Sequence, residues 1–241
     1  MSKEKIIVAL DVDTVDKAVD LVEILRDEVG AFKVGLELFN NTGPAIFKEL
    51  RAAGAKKLFY DCKFHDIPNT VAGASHAAAG MNVWMFNVHC SGGSAMMKAA
   101  ADSAREQAER LGIVKPLIIG VTALTSIDQQ MLELELGVGM PMSGYVAQLA
   151  VLAKHAGLDG VVASPHEIEI IRHTCGSDFL IVTPGVRPAS AEVNDQKRIM
   201  TPSEAIKHGA DYLVIGRPIT AALDPAAAAR EIAGEIGFSA D

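Results

Sequence analysis

Aromatic residues are scarce in this chain: Phe, Trp and Tyr together make up 5% of 241 residues. The core must therefore come from Ala, Val, Leu and Ile, which suits helices packed on β-branched strands. Positive charge is in deficit, with 22 Lys and Arg against 30 Asp and Glu and a formal charge of −8. That argues against a general nucleic-acid-binding surface and requires any phosphate site to be a local cluster of donors. Cysteines number three, Cys62, Cys90 and Cys175. They are widely spaced and odd in number, with neither a disulfide framework nor a Cys-x-x-Cys metal pattern, so a reducing compartment is expected. No apolar run approaches the length of a membrane span. The N-terminal Met1-Ser2-Lys3-Glu4-Lys5 leads into an apolar stretch too short for a signal peptide's core. The expectation is a soluble cytoplasmic protein without membrane attachment. Linkers, low-complexity segments and sequence repeats are also missing, which implies one domain over residues 1–241.

What is present is alternation. Apolar segments beginning at Lys5, Ala31, Lys57, Asn82, Pro116, Asp159, Phe179 and Tyr212 read as strands, and each is followed by a helical segment. Thr14 is placed to cap the first helix, whose apolar face is Ala18, Leu21, Val22, Leu25 and Val29, with Gly30 as its stop. Asn41 to Ala53 reads as one helix ended by Gly54, and Asn69 to Ala79 as another ended by Gly80. Thr201-Pro202-Ser203-Glu204 has the form of a capping box with proline at the first helical position. Strands that are apolar on both faces belong to a parallel sheet covered by helices. Eight such units in a chain of 241 residues predict an α/β fold of the single-domain (β/α)8 TIM-barrel type. No Gly-x-Gly-x-x-Gly follows the first strand, which weakens the open doubly wound alternative.

In such a barrel the residues at the C-terminal strand ends face the active site. Those positions hold Asp11, Lys33, Asp61 with Lys63, His89, Thr125, Ser164, Pro184 with Arg187, and Gly216 with Arg217. Charged residues scattered along the sequence thus gather on one rim, and this points to an enzyme. The densest group is Asp61-Cys62-Lys63-Phe64-His65-Asp66-Ile67-Pro68-Asn69-Thr70. On an extended chain Asp61 and Lys63 share a face, and Asp66 falls in the turn before a helix started by Pro68. A lysine flanked by carboxylates is held charged, and it can stabilise a developing negative charge or deliver a proton to it. At the other end, Gly216-Arg217-Pro218-Ile219-Thr220 follows the last strand, where these barrels commonly bind phosphate. A short helix there would add its positive end and arginine a planar donor fork. The segment Pro184 to Ile199 is long for a βα loop and reads as a lid, with Arg187 and Gln196 able to close on the same phosphate.

The run Asp-x-Lys-x-x-Asp-Ile-Pro-Asn-Thr from Asp61 to Thr70 resembles the signature of the orotidine 5′-phosphate decarboxylase family, in its bacterial branch. Ala9-Leu10-Asp11, Phe32-Lys33-Val34-Gly35, Val88 to Gly93, Leu124-Thr125-Ser126, Thr183 to Pro188 and Ile215 to Ile219 support the likeness over essentially the whole chain. The resemblance implies decarboxylation of orotidine 5′-phosphate to UMP and carbon dioxide, in pyrimidine biosynthesis, with no metal or organic cofactor. It implies that Lys63 protonates C6 and that Lys33, Asp61, Lys63 and Asp66 form a charged chain. Asp61 would lie against the substrate carboxylate. Asp11 and Lys33 would hold the ribose hydroxyls, and Thr125 the pyrimidine amide edge. Pro184 would line the site, and Arg187, Gln196, Gly216 and Arg217 would bind phosphate. Asp66, Ile67 and Thr70 would serve the neighbouring subunit's site in a homodimer. Cys62 stands where a larger apolar residue is expected. Two other readings compete. Metal-dependent sugar-phosphate decarboxylases and hexulose-phosphate synthases share Asp-x-Lys-x-x-Asp but carry an acidic metal ligand on the second strand, where this chain has Lys33. A barrel that only binds a phosphorylated ligand would not need Lys63 and its flanking acids.

Overall fold

Each strand segment is short, apolar and rich in β-branched or aromatic residues. β1 is Ile6–Ala9, β2 Ala31–Val34, β3 Leu58–Phe64, β4 Met85–His89, β5 Leu117–Val121, β6 Gly160–Val162, β7 Leu180–Pro184 and β8 Tyr212–Ile215. In the computed structural model, which describes residues 2–188 and 200–237, these strands pair in parallel in chain order, and β8 closes on β1 through Ile6↔Leu213, Ile7↔Val214 and Val8↔Ile215. The (β/α)8 barrel expected from the alternation is therefore the observed fold.

Side-chain parity divides the core into two layers. Ile7, Ala31, Phe59, Met85, Ile119 and Val182 point inward and fill the barrel. Their neighbours Ile6, Val8, Phe32, Tyr60, Cys62, Phe86, Ile118 and Ile181 point outward against the helices. The barrel's N-terminal mouth holds Trp84 and Tyr212, whose rings meet edge-on with centroids 5.2 Å apart. The inner residues near the C-terminal ends, Lys33, Asp61 and Asn87, are polar instead, and that is where the cavity lies.

The helices depart from a count of eight. Those described are α1 Val15–Leu25, α2 Leu36–Thr42, α3 Ile46–Ala52, α4 Pro68–Gly80, α5 Gly93–Leu111, α6 Gln129–Leu134, α7 Met142–His155, α8 Ile168–Cys175, α9 Pro202–His208, α10 Arg217–Thr220 and α11 Pro225–Gly237. The single helix expected over Asn41 to Ala53 is two, α2 and α3. Gly43 takes a left-handed φ of 68°, and Pro44 behind it disfavours a helical residue before it. α6 and α10 are short helices within loops at the C-terminal face. α1 ends at Leu25, short of Gly30. Gly80 lies inside α4, and the left-handed residue after that helix is Asn82, at φ 56°. Thr14 accepts from the Lys17 amide, and Thr201 with Glu204 forms the expected capping box with Pro202 in the first turn.

Glycine is required where strands crowd. A Cβ on Gly160 would stand 2.3 Å from the Leu180 carbonyl oxygen on the neighbouring strand. Gly160→Ala is expected to cost about 1–3 kcal/mol in urea unfolding. A loss under about 0.5 kcal/mol would show that β6 and β7 can part freely.

Candidate active site

β2 carries Lys33 at its third position, facing into the barrel and buried. Its ammonium stands 3.2 Å from Asp11 Oδ1, just beyond β1, and 3.3 Å from Asp61 Oδ2 on β3. The other oxygen of the same carboxylate, Asp61 Oδ1, accepts from Lys63 Nζ at 2.7 Å and from Asn87 Nδ2 at 2.7 Å. One carboxylate thus bridges two ammonium groups from β2 and β3 and also meets an amide from β4. The Asp61 side chain is only 14% exposed. Burial is the largest influence on it and acts against ionisation. The charges of Lys33 and Lys63, with hydrogen bonds from Lys63 and Asn87, together outweigh burial and hold its pKa below the ordinary 3.8. Asp61 is therefore a carboxylate at neutral pH.

Lys63 is not on a regular strand. Its φ is 49°, in the left-handed region that non-glycine residues seldom adopt. The β3–β4 register shifts there: Tyr60 pairs with Phe86, but Phe64 pairs with Val88. Asp61 and Lys63 meet as expected, although through this irregular turn and not through simple alternation.

These groups line a cavity of about 390 Å³ at the C-terminal mouth of the barrel. Asp11, Lys33, Asp61, Lys63, Thr125, Pro184, Arg187, Gly216 and Arg217 all face it. Val121, Leu124, Val162, Ala163, Val186 and Pro218 supply apolar lining suited to a flat ring. The two arginines come from the segments that follow β7 and β8. Gly216 immediately precedes α10, and the Arg187 amide donates to the Met200 carbonyl at 3.3 Å. Among the described residues neither Arg187 nor Arg217 has an ion-pair partner, so both guanidinium groups are available to an anion.

Other expected residues lie elsewhere. Asp66, Ile67 and Thr70 are exposed and do not line this chain's cavity. The Asp66 carboxylate accepts from the Ile67 amide at 2.6 Å. Gln196, and with it the centre of the expected lid, lies outside the described residues. His89 does not reach the cavity. It stacks on His65, ring centroids 5.4 Å apart, and burial first, then the His65 and Lys63 charges, lowers its pKa from 6.5. Ser164 accepts from the His166 amide at the start of a short 3₁₀ turn, Pro165–Glu167. Cys62 faces outward and donates to the Asn87 carbonyl at 3.2 Å. Burial pushes its thiol up to about 12, so it is no thiolate nucleophile at neutral pH. Asn87, which bonds both Asp61 and the Lys63 amide, is a member of this cluster that the sequence reading missed. A lone amide in the otherwise apolar Met85-Phe86-Asn87-Val88 was the signal.

A family model described as orotidine 5′-phosphate decarboxylase / HUMPS family matches residues 4–232. The chain belongs to this family. Among its decarboxylase-named relatives, a Moorella thermoacetica protein called orotidine 5′-phosphate decarboxylase is 55% identical over 235 residues, covering 98% of this chain and 93% of that one. One of the same name from Syntrophomonas wolfei is 51% identical and covers 98% of each chain. The crystal structure of orotidine 5′-phosphate decarboxylase from Lactobacillus acidophilus superimposes with a TM-score of 0.85 at 40% identity, over 96% of this chain and 98% of that one. An uncharacterized conserved protein from Geobacillus kaustophilus gives 0.83 at 38% identity, over 96% and 99%.

Because folding lowers the Asp61 pKa, its ionised form contributes stability fully above the unfolded value of 3.8. That contribution fades as pH falls through the lower folded value. Asp61→Ala is expected to lose on the order of 1–3 kcal/mol near neutral pH, with the gap to the parent narrowing below 3.8. Urea unfolding across that range measures it; a gap independent of pH would contradict the assignment.

Proposed function

We propose that the protein decarboxylates orotidine 5′-phosphate to UMP and carbon dioxide, the last chemical step in making that pyrimidine nucleotide. The observation that carries the reading is the Lys33–Asp61–Lys63 array in a cavity also lined by two arginines that have no ion-pair partner among the described residues. The names borne by the relatives agree with it. Phosphate at Arg187, Gly216 and Arg217, joined by Gln196, anchors the substrate. Asp11 and Lys33 hold the ribose hydroxyls, and Thr125 bonds the edge of the pyrimidine. The ring lies on the apolar lining, with its carboxylate toward Asp61 and C6 toward Lys63.

When carbon dioxide leaves, the C6–carboxylate bond breaks and its electron pair stays on C6, in an orbital with little delocalisation into the ring. The Lys63 ammonium stabilises that charge and transfers one proton to C6, giving UMP; solvent then reprotonates the amine. Held by Asp61 in a partly water-excluded site, the ammonium needs no reorganisation as the charge appears. Binding energy from the remote phosphate offsets the cost of placing a substrate carboxylate beside Asp61.

The family also includes HUMPS members, and Lys33 favours the decarboxylase reading. Its ammonium stands between Asp11 and Asp61, the place a divalent ion would need if those carboxylates were its ligands. The chemistry is accordingly proposed to run without metal or cofactor.

A homodimer with shared sites accounts for Asp66, Ile67 and Thr70. They leave their own cavity, and Ile67 is 66% exposed, a large apolar side chain in need of cover. From a second copy these residues would complete the neighbour's charged chain. The barrel and its helices act as one catalytic domain. All three cysteines are unpaired and buried, which suits a cytoplasmic setting. No helix among the described residues is long and apolar enough to cross a membrane.

The deciding experiment mixes purified protein with orotidine 5′-phosphate in EDTA and follows conversion by absorbance. UMP should form at full rate. Activity lost in EDTA and restored by magnesium would return the metal-dependent reading. Lys63→Ala should lower kcat by roughly 10²–10⁴-fold or more while UMP still binds; unchanged turnover would remove Lys63 from the reaction. Light scattering under assay conditions should give a dimer, and a fully active monomer would contradict the shared site.

A further inference from the structure

The β3–β4 pairing contains an irregularity at the position of the reacting lysine. Between Tyr60↔Phe86 and Phe64↔Val88, β3 advances four residues while β4 advances two. The surplus chain turns at Lys63, which sits at φ 49°. A bulge of this kind removes a main-chain N–H from the ladder, and a buried unpaired N–H is costly. Here the Lys63 N–H donates to Asn87 Oδ1 at 2.7 Å. Asn87 lies on β4 opposite the bulge, buried, with its side chain inside the barrel. The other end of the same amide, Nδ2, donates to Asp61 Oδ1 at 2.7 Å. That oxygen is also the acceptor for Lys63 Nζ.

Few side chains can do both tasks. The oxygen of position 87 must accept from a main-chain N–H while a neutral donor on the same group meets a carboxylate. Aspartate accepts but cannot donate when ionised, serine is too short, and leucine does neither. The main chain is held as well, since Cys62, the residue before Lys63, donates its thiol to the Asn87 carbonyl at 3.2 Å. Asn87 is thereby bonded to three consecutive β3 residues, Asp61, Cys62 and Lys63.

We propose that Asn87 is the positioning residue of the lysine–aspartate array, its single amide fixing both the Asp61 carboxylate and the left-handed turn that presents the Lys63 ammonium. It touches no reacting atom. The proposal deepens the decarboxylase reading and rests on it for the chemistry, although not for the geometry.

Two variants and a structure test it. In Asn87→Ala, kcat is expected to fall by about 10²-fold, the scale of a small misplacement, while the UMP affinity, set largely by phosphate and ribose, changes by less than about threefold. Native kcat, or an equal loss of kcat and UMP affinity, would overturn the proposal. Asn87→Asp is nearly isosteric and retains the acceptor for Lys63 N–H, so it tests the second bond in a protein of native shape. Its new carboxylate lies against Asp61, which is otherwise faced by Lys33 from β2, Lys63 from β3 and His89 from β4. Like charge raises the pKa of such a pair. The acid limb of kcat/KM should therefore move to higher pH by about one unit or more; an unmoved limb would overturn the proposal. A crystal structure of Asn87→Ala reads the geometry whatever the turnover. Lys63 should leave the left-handed region and its Nζ should lie more than about 4 Å from Asp61, whereas a retained φ near 49° would overturn the proposal. If the parent protein does not turn over orotidine 5′-phosphate, the function fails, and the crystal structure still decides the role of Asn87.

Discussion

The Asp61 carboxylate lies between two ammonium groups, 3.3 Å from Lys33 Nζ and 2.7 Å from Lys63 Nζ. Most of the active end of the molecule depends on that contact. Without the carboxylate, two like charges would face each other near the barrel interior, where screening by water is poor. With it, each ammonium has a carboxylate oxygen within 3.3 Å. Such a cluster contributes little to stability relative to well-packed apolar side chains. Its retention at the mouth of a barrel otherwise filled by Ile7, Phe59, Ile119 and Val182 is best understood through chemistry. The apolar filling below supplies the rigidity, and the charged layer above uses it.

In the proposed reaction holding and reacting fall to different groups of the cavity lining. Guanidinium groups without ion-pair partners among the described residues line it together with the paired lysine–aspartate array. An anion entering beside these arginines would meet donors that hold no carboxylate among the described residues, which favours binding before any chemistry occurs. The array is already satisfied, and a second carboxylate brought beside Asp61 disturbs it. In the proposed reaction that disturbance ends as carbon dioxide departs, and the ammonium then faces the new charge on C6. In that reaction the arrangement would favour the transition state over the bound substrate.

The barrel was legible from periodicity because both layers of its strands are apolar and each strand is followed by an amphipathic helix. Boundaries were less so. Gly43-Pro44 splits one expected helix, and Asn82, not Gly80, takes the left-handed turn after α4. The reason is that turn chemistry depends on a single φ, whereas a helix depends on a summed pattern. Nine of the expected site residues reach one cavity, since strand ends in this fold converge wherever the sequence places them. Asp66, Ile67 and Thr70 do not, and no intrachain pattern would have shown where they point; the resemblance alone assigned them to a partner. Asn87 escaped notice because its task arises from a register shift in the neighbouring strand, which alternation cannot reveal.

Fold alone does not choose between members of this family, because the same barrel can carry different chemistries. The choice rests on what lies between Asp11 and Asp61. An acidic residue at position 33 would make three carboxylates converge, an arrangement stable only around a cation from solution. Lysine at position 33 supplies the cation covalently and leaves the second ammonium, Lys63, free to face the ligand. The substitution of a tethered charge for a dissociable one also changes what the site can do. A divalent ion can polarise an enolate oxygen as a Lewis acid. An ammonium at a carbon centre can instead give up a proton, and decarboxylation at an unsaturated carbon requires that proton at the end.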